Sequence, residues 1–473
     1  MRIVSRPSVG ASMLGGSIHV APSPCTHAPA RAVSPWTGEE GTAGTVAVVG
    51  AGKMGLPLAA QFATHGWTVI AVDVNPAVVE AINSGRSHVG EEPGLSELVA
   101  GVHAEGRLRA TLDAAAAAHE ADVVVLIVPV MLDADRRPDY RYMDGAVASI
   151  APGVHAGSTV IFETTLPIGD TRTRFTPVLE AAAGVRAEAG LFVAFSPERL
   201  FSGAVLENLA AYPKLVGGVG PRSTDRAARF YASVLDAEIV AMSSSEAAEF
   251  SKLADTTYRD VNIALANEFA QAGDALGIDV QEVIAAANSQ PYSHIHQPGI
   301  GVGGHCIPVY PHLLLARAPG LRLVETARAV NDGQSDRAVR TLDGLLGGLA
   351  GAPVLVLGVT YREGVHELAY SRAIPLIDAL RAAGAEVHAY DPLMEPSEIE
   401  AIGARSWAWG APAPFRAIVS QTGDPRFGTL DAGWFGDLAV VYDGRNSLRT
   451  LALPEQVIYV GVGVQASTRT RPA

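Results

Sequence analysis

The chain has 473 residues, 48% of them hydrophobic and 18% charged, and a formal net charge of −14. That length calls for two or three domains, and an acidic balance without clusters of Lys and Arg argues against a nucleic-acid partner. No stretch approaches the run of about eighteen apolar residues that a membrane span requires. Only two cysteines, Cys25 and Cys306, are present; they do not make a disulfide framework, and a cytoplasmic protein is expected.

Residues 1–43 are rich in Pro, Ala, Ser and Gly without helical or strand periodicity, so a disordered extension is expected there. Regular pattern begins at "TVAVVGAGKMGLPLAAQFATHGWTVIAVDVN", which reads as strand, glycine turn, helix and second strand. Gly50, Gly52 and Gly55 form a G-x-G-x-x-G turn between the first strand and the helix, and Asp73 closes the second strand. The glycines let a pyrophosphate approach the helix N-terminus, and the acid accepts from ribose hydroxyls and repels a 2′-phosphate. NAD is the expected cofactor.

Further strands are predicted at "ADVVVLIVPVMLDAD", "STVIFETT" and "LFVAFSPE". From Ser243 to Leu276 the pattern is helical for roughly nine turns, long enough to join domains or to form a subunit interface, and a homodimer through this helix is expected. Next comes "GIGVGGHCIPVY", which sets Cys306 behind a run of glycines. Three readings of that cysteine stand open: an inert buried thiol, a metal ligand with His294, His296, His305 and His312, or a nucleophile on a loop that admits substrate.

A second α/β segment begins at "PVLVLGVTY", continues through "AIPLIDALRAAG" and "AEVHAYDP", and ends near "LAVVYDGRN". The expected fold class is α/β, with two Rossmann-like doubly wound domains joined by a long central helix and a helical middle domain. The expected boundaries are 44–225 for the NAD-binding domain, 226–335 for the helical middle with the cysteine loop, 336–462 for the second Rossmann-like domain, and 463–473 for a tail.

The segments "VGAGKMGLPLA", "INSGRSHVGEEPGLSELV", "ETTLPIGDT", "SPERLFSG", "KLADTTYRDVNIALANE", "QPGIGVGGHCIP" and "YDP" occur in an order that resembles the UDP-glucose/GDP-mannose dehydrogenase family, the nucleotide-sugar 6-dehydrogenases. Among its branches, the chain looks most like the one acting on UDP-N-acetylhexosamines such as UDP-N-acetylmannosamine. The resemblance implies that the C6 alcohol of a UDP-hexose or UDP-N-acetylhexosamine becomes a carboxylate while two NAD are reduced, through a Cys306 thiohemiacetal and thioester. It implies a catalytic set of Cys306, Lys252, Glu198, Thr256 and Tyr310. For the cofactor it implies Gly50, Gly52, Lys53, Met54, Gly55, Asp73, Val128, Pro129, Thr165 and Arg362. For a nucleotide-sugar substrate it implies Arg199, Leu200, Arg259, Tyr292, Gly303 and Arg445, with no metal. Taken alone, Glu198 could be a surface acid paired with Arg199, Lys252 a solvated lysine paired with Glu246 or Glu249, and Arg362 and Arg445 ordinary surface arginines.

The chain departs from the family pattern in several places. Val130 stands for the usual Thr after Val128-Pro129, Thr256 for an Asn, Tyr310 for an Asp, Ser202 for a second Glu, and Tyr292 for an Arg. The Tyr310 change leaves Lys252 without a carboxylate neighbour. Two further functions therefore stand beside the four-electron dehydrogenase: a two-electron or altered-specificity NAD oxidoreductase on an unusual nucleotide sugar, and a catalytically silent nucleotide-sugar binder.

Overall fold

The computed structural model describes residues 43–90, 92–201 and 203–468. The expected extension up to residue 42 with Cys25, the substituted position Ser202, and the end of the tail lie outside them.

The first sheet is built on β1 (Thr45–Val49), whose last four residues are buried, and on β2 (Thr68–Val72), β3 (Leu108–Thr111) and β4 (Val123–Leu126). After a short antiparallel hairpin, β5 (Met131–Leu132) and β6 (Pro138–Asp139), it continues with β7 (Thr159–Phe162), β8 (Phe192–Phe195), β9 (Lys214–Gly218) and β10 (Ile239–Ala241). The order is β10-β9-β8-β7-β4-β1-β2-β3, parallel except between β8 and β9. The order in which successive strands are added to the sheet reverses between β1 and β4, which opens a crevice at their carboxyl ends where ligands of doubly wound sheets bind. Helix α1 (Gly55–Thr64) packs on this sheet through Ala59, Ala60 and Ala63, small residues that let helix and strands approach closely.

Two expectations change here. "ADVVVLIVPVMLDAD" is two strands, because Pro129 cannot donate to a ladder and the chain turns after Leu126. The first sheet also extends past residue 225 to β10, whose three residues carry too little alternation to be read as a strand.

The long helix α2 (Ser245–Leu276) begins where Ser244 accepts the Ala247 amide at 3.1 Å and ends at Gly277, φ 74°. Two shorter helices pack against it, α3 (Tyr310–Arg317) and α4 (Arg322–Asp332).

The second sheet contains β11 (Pro353–Leu357), β12 (Glu386–Tyr390), β13 (Arg405–Ser406), β14 (Ala417–Ser420), β15 (Val440–Asp443), β16 (Ile458–Gly461) and β17 (Val464–Thr468). Its order is β13-β12-β11-β14-β15-β16-β17, with β17 alone antiparallel. The strand β17 corrects the tail expected from residue 463. It doubles back because Gly463 takes φ 71°, and its turn lies on α2, where a Cβ at Gly463 would stand 3.0 Å from Ala270.

Under the carboxyl ends of β7 and β8 lies a buried ion pair: Lys214 Nζ stands 2.9 Å from Glu163 Oε2, and the Tyr231 hydroxyl donates to the other carboxylate oxygen. Both charges are out of water, so each depends on the other. Lys214→Met leaves Glu163 charged and unpaired, and is expected to cost about 3–5 kcal/mol. A thermal melt checks this, and an unchanged midpoint would mean that the ion pair makes no net contribution to stability.

Candidate active site

At the first crevice, Gly50 adopts φ 98°, and a Cβ there would lie 3.0 Å from Val128 Cγ1. At Gly55 a Cβ would overlap the Gly50 carbonyl oxygen, so this glycine allows α1 to start directly under β1. A Cβ at Gly52 would meet no protein atom within 4 Å. That is the open side from which a pyrophosphate reaches the helix N-terminus, so the residues present fit a dinucleotide. Asp73 accepts the Ala51 amide at 3.0 Å and the Asn75 amide at 2.9 Å while its carboxylate stays partly exposed. Thr164 donates to the Val128 carbonyl at 2.6 Å, which joins the turn after β4 to the loop after β7. Met54 packs on the first core, and Pro129 is exposed.

The glycine segment before Cys306 is held from α2. The Gly299 amide donates to Asn267 Oδ1 at 2.9 Å, Asn267 donates to Asn331 at 2.9 Å, and Asn331 donates to Asp260 at 2.8 Å. Arg328 closes the chain on Asp260 at 2.6 Å. Gly301 (φ 74°) passes so close to α4 and the second sheet's loops that a Cβ would lie 2.8 Å from Arg372 Nε and 2.9 Å from the Asn331 carbonyl. Gly304 (φ 93°) passes the Tyr361 ring at 3.0 Å, and Gly303 passes the Tyr370 carbonyl at 3.0 Å, measured in the same way. Cys306 thus stands between the two sheets, half-buried and free of any disulfide.

The Cys306 carbonyl accepts the Val309 and Tyr310 amides at 3.2 and 2.9 Å, starting α3. The Tyr310 side chain lies near Cys306, Thr165 and Glu198. Burial, then the negative charges of Cys306 and Glu198, push this phenol well above its usual range. Lys252 Nζ faces the Tyr310 ring at 5.6 Å from its centre and is buried. Four segments far apart in sequence therefore converge: the loops after β7 and β8, the first third of α2, and the start of α3.

Lys252 has no solvated role, and its alternative partners are engaged elsewhere: Glu246 pairs with Arg172, and Glu249 accepts from Gly169 and Thr171. Glu198 accepts the Leu200 amide, and Leu200 packs on the first core with Arg199 partly buried beside it. Thr256, one helical turn beyond Lys252, is buried with its hydroxyl unpartnered among the described residues. Arg445 is exposed alongside Gly299, with Nη1 3.3 Å from where a Cβ would stand. Arg362 donates to the Tyr361 hydroxyl at 2.8 Å. Arg259 pairs with Asp255 at 3.2 Å on α2. Tyr292 stands apart, 75% exposed, with its amide donating to Gln290. Among the described residues no three His, Cys, Asp or Glu side chains are grouped to hold a metal. His312 is held down at about 4 by burial and then by Arg328 and Arg136.

One group escaped the sequence, and a second was named only as a partner of Lys252. Glu367, from a loop of the second sheet unit, lies 3.7 Å from Lys53 in the dinucleotide turn and 3.7 Å from His305 beside the cysteine; only the folded chain brings these together. Glu249 had a signal, since it lies one turn before Lys252 on the same helix face. Its buried carboxylate accepts the Gly169 amide at 2.5 Å, the Thr171 amide at 3.0 Å and the Thr171 hydroxyl at 2.6 Å, fixing the start of α2 on the loop after β7.

Family models match all three parts of the chain: the UDP-glucose/GDP-mannose dehydrogenase NAD binding domain over residues 44–235, the central domain over 246–333, and the UDP binding domain over 355–450. The chain is similar to a UDP-N-acetyl-D-mannosamine dehydrogenase of Pyrococcus horikoshii, 33% identical over 426 residues, covering 88% of this chain and 99% of the relative. It is also similar to an NDP-N-acetyl-D-galactosaminuronic acid dehydrogenase of Ralstonia nicotianae, 34% identical over 343 residues, 71% of this chain and 80% of the relative. The solved structure of the UDP-D-ManNAc dehydrogenase from Pyrococcus horikoshii superimposes with a TM-score of 0.80 at 32% identity, covering 89% of this chain and 99% of that one.

Burial, opposed by the bonds from Thr171 and Gly169, raises Glu249 from 4.5 to about 7. Between those values the folded state holds more protons than the unfolded, so stability falls as pH rises from about 4.5 to 7, by about 3 kcal/mol. Denaturant titrations across this range should show the decline, and Glu249→Gln should flatten it. An equal slope in the variant would assign the effect to another group.

Proposed function

The chain belongs to the UDP-glucose/GDP-mannose dehydrogenase family and is an NAD-dependent nucleotide-sugar dehydrogenase, and from that footing we propose that it oxidises the C6 hydroxyl of a UDP-N-acetylhexosamine to a carboxylate through Cys306. One observation carries this: the half-buried Cys306 sulfur shares its surroundings with Thr165, Glu198, Lys252 and Tyr310 in the crevice between the two sheets. Both curated relatives are named for N-acetylated sugars, which supports that substrate class.

NAD, when bound, would supply the hydride acceptor for each of two oxidations. Gly50, Gly52, Lys53, Met54, Gly55 and Asp73 would hold it, with Val128, Pro129 and Thr165 along the crevice and Arg362 from the opposite sheet. Lys252 stabilises the negative charge that develops on the C6 oxygen, an effect strengthened by its burial. The Cys306 thiolate adds to the aldehyde carbon, and loss of the second hydride leaves a thioester. Glu198 takes a proton from water as the water oxygen bonds to that carbon, and the carbon–sulfur pair returns to sulfur. Thr256 offers its unpartnered hydroxyl one turn from Lys252. Arg445 and Gly303 border the glycine segment and would receive the nucleotide sugar, with Arg199, Leu200, Arg259 and Tyr292 as further contacts.

We also propose a homodimer through α2. Tyr258, Leu265, Phe269 and Leu276 are exposed at 54, 42, 37 and 71% and recur on one stripe of the helix, an arrangement that a second copy would cover. No helix among the described residues is long and apolar enough to cross a membrane, so the stripe has no lipid-spanning role as a helix.

With UDP-N-acetylmannosamine as substrate, two NADH per sugar are expected from the wild-type chain, and no more than one from Cys306→Ala, which stops at the aldehyde. One NADH per sugar would instead support the two-electron oxidoreductase, and none from the wild-type chain across a panel of UDP, GDP and TDP sugars would support the silent binder. Leu265→Glu combined with Phe269→Glu is expected to halve the mass measured by light scattering. A mass unchanged by both charges would place the interface elsewhere.

A further inference from the structure

Resting on the reading of Cys306 as the nucleophile, we infer that Asp170 and Arg317 form the anchor that holds α3, and with it Cys306, against the dinucleotide-binding unit, which makes both of them positioning residues for the second oxidation. The glycine run fixes Cys306 from its amino-terminal side; on the other side the chain enters α3 at once. The Cys306 carbonyl accepts the Val309 and Tyr310 amides at 3.2 and 2.9 Å, so the cysteine is continuous with the first turn of this helix. With eight residues α3 spans about 12 Å, and a helix so short does not hold a place by its own hydrogen bonds. Its position is set by what its ends and its buried face meet.

The last residue of α3, Arg317, stands at the surface and reaches back to Asp170 in the loop after β7, with Nη2 on Oδ1. Asp170 is fully buried, and the Tyr140 hydroxyl donates to its other oxygen at 2.5 Å. A carboxylate out of water needs both its cation and its donor, so the contact ties the end of α3 to the first sheet unit. The neighbours of Asp170 in the same turn serve a second helix. The Gly169 and Thr171 amides donate to Glu249 on α2, three residues before Lys252. Ile168 packs on the small cluster that joins Leu253 of α2 to Leu313 and Leu314 of α3. Residues 168–171 thus grip the helix that carries Lys252 and the helix that follows Cys306, and one turn sets the two reactive groups in register. The two grips are separable. Loosening Arg317 frees the cysteine side, while Glu249 still binds Gly169 and Thr171 and keeps Lys252 in place for the first oxidation.

The experiment counts NADH formed per UDP-N-acetylmannosamine and follows released sugar aldehyde by mass spectrometry. Arg317→Met is expected to lower the count from two towards one, to release aldehyde, and to slow formation of the carboxylate roughly ten- to hundred-fold, the cost of displacing a reacting group by about 1 Å. The KM for NAD should stay as in the wild type. Arg317→Lys keeps a cation for a contact made by one nitrogen and should restore most of the count. Arg317→Met leaves Asp170 buried without its cation; if that chain does not fold, Arg317→Met combined with Asp170→Asn removes both charges and is read in the same way. A count of two with the carboxylate formed at the wild-type rate overturns the inference, and so does an equal loss of both oxidations, which would mean a general loosening of the fold. Failure of the underlying reading looks different, because Cys306→Ala would then itself yield two NADH per sugar, whatever the Arg317 variants do.

Discussion

A chain of buried side-chain amides holds the reactive segment to the rest of the protein. The Gly299 amide, Asn267, Asn331 and Asp260 pass hydrogen bonds from the glycine run into α2 and α4, and Arg328 neutralises the last member. Each member is buried, so a missing partner would leave a polar group unsatisfied, at roughly 1–3 kcal/mol. Glycine is the residue least able to hold a conformation by itself, and here its backbone is positioned by neighbours. The loop can stay thin enough for close approach and yet present Cys306 in one place.

The two sheets use one device at their crevices with different results. Asp73 at the end of β2 accepts the amide of Ala51 in the turn after β1. Asp391 at the end of β12 does the same for Val359 and Thr360 after β11, and adds the Thr360 hydroxyl and the Leu393 amide. Asp391 is 4% exposed, with its lone pairs engaged by the protein, whereas Asp73 remains partly open to solvent. The first acid can therefore meet a ribose while the second serves to lock its own turn. The glycine turn matches this division: Gly52 borders open space, and a Cβ at Gly358 would overlap the Thr422 hydroxyl.

Much of the fold was legible because local rules and tertiary packing agree. The glycine turn, the acid closing β2 and the nine-turn helix each carry a short-range physical signature, and Ser244 and Gly277 end the helix within two residues of the expected bounds. Less legible were elements whose order comes from neighbours: β10 has three residues, and β17 is a strand because β16 lies beside it. At the site, the residue types were readable and their environments were not. Lys252 lies on a helix with charged residues on either side in sequence, so nothing local says that it is buried. Phe250, Leu265 and Phe269 are exposed, because α2 turns its Leu253 and Thr256 face to the protein. The Glu367 link between Lys53 and His305 depends on three segments that only the folded chain brings together.

The far end of α2 is bound as firmly as its beginning. Asp274 pairs with Arg337, Gln465 donates to the carbonyls of Gly273 and Asp274, and Val280 donates to Gly463 at the β17 turn. Between Lys252 near one end and Asn267 further along runs an unbroken rod, part of a helix about 48 Å long. Adding or deleting one residue in that interval would turn everything beyond it by about 100° and carry the Asn267 amide away from the glycine run. The helix is thus a ruler as well as a scaffold: side chains along it can drift, but its length in residues is closed to insertion and deletion.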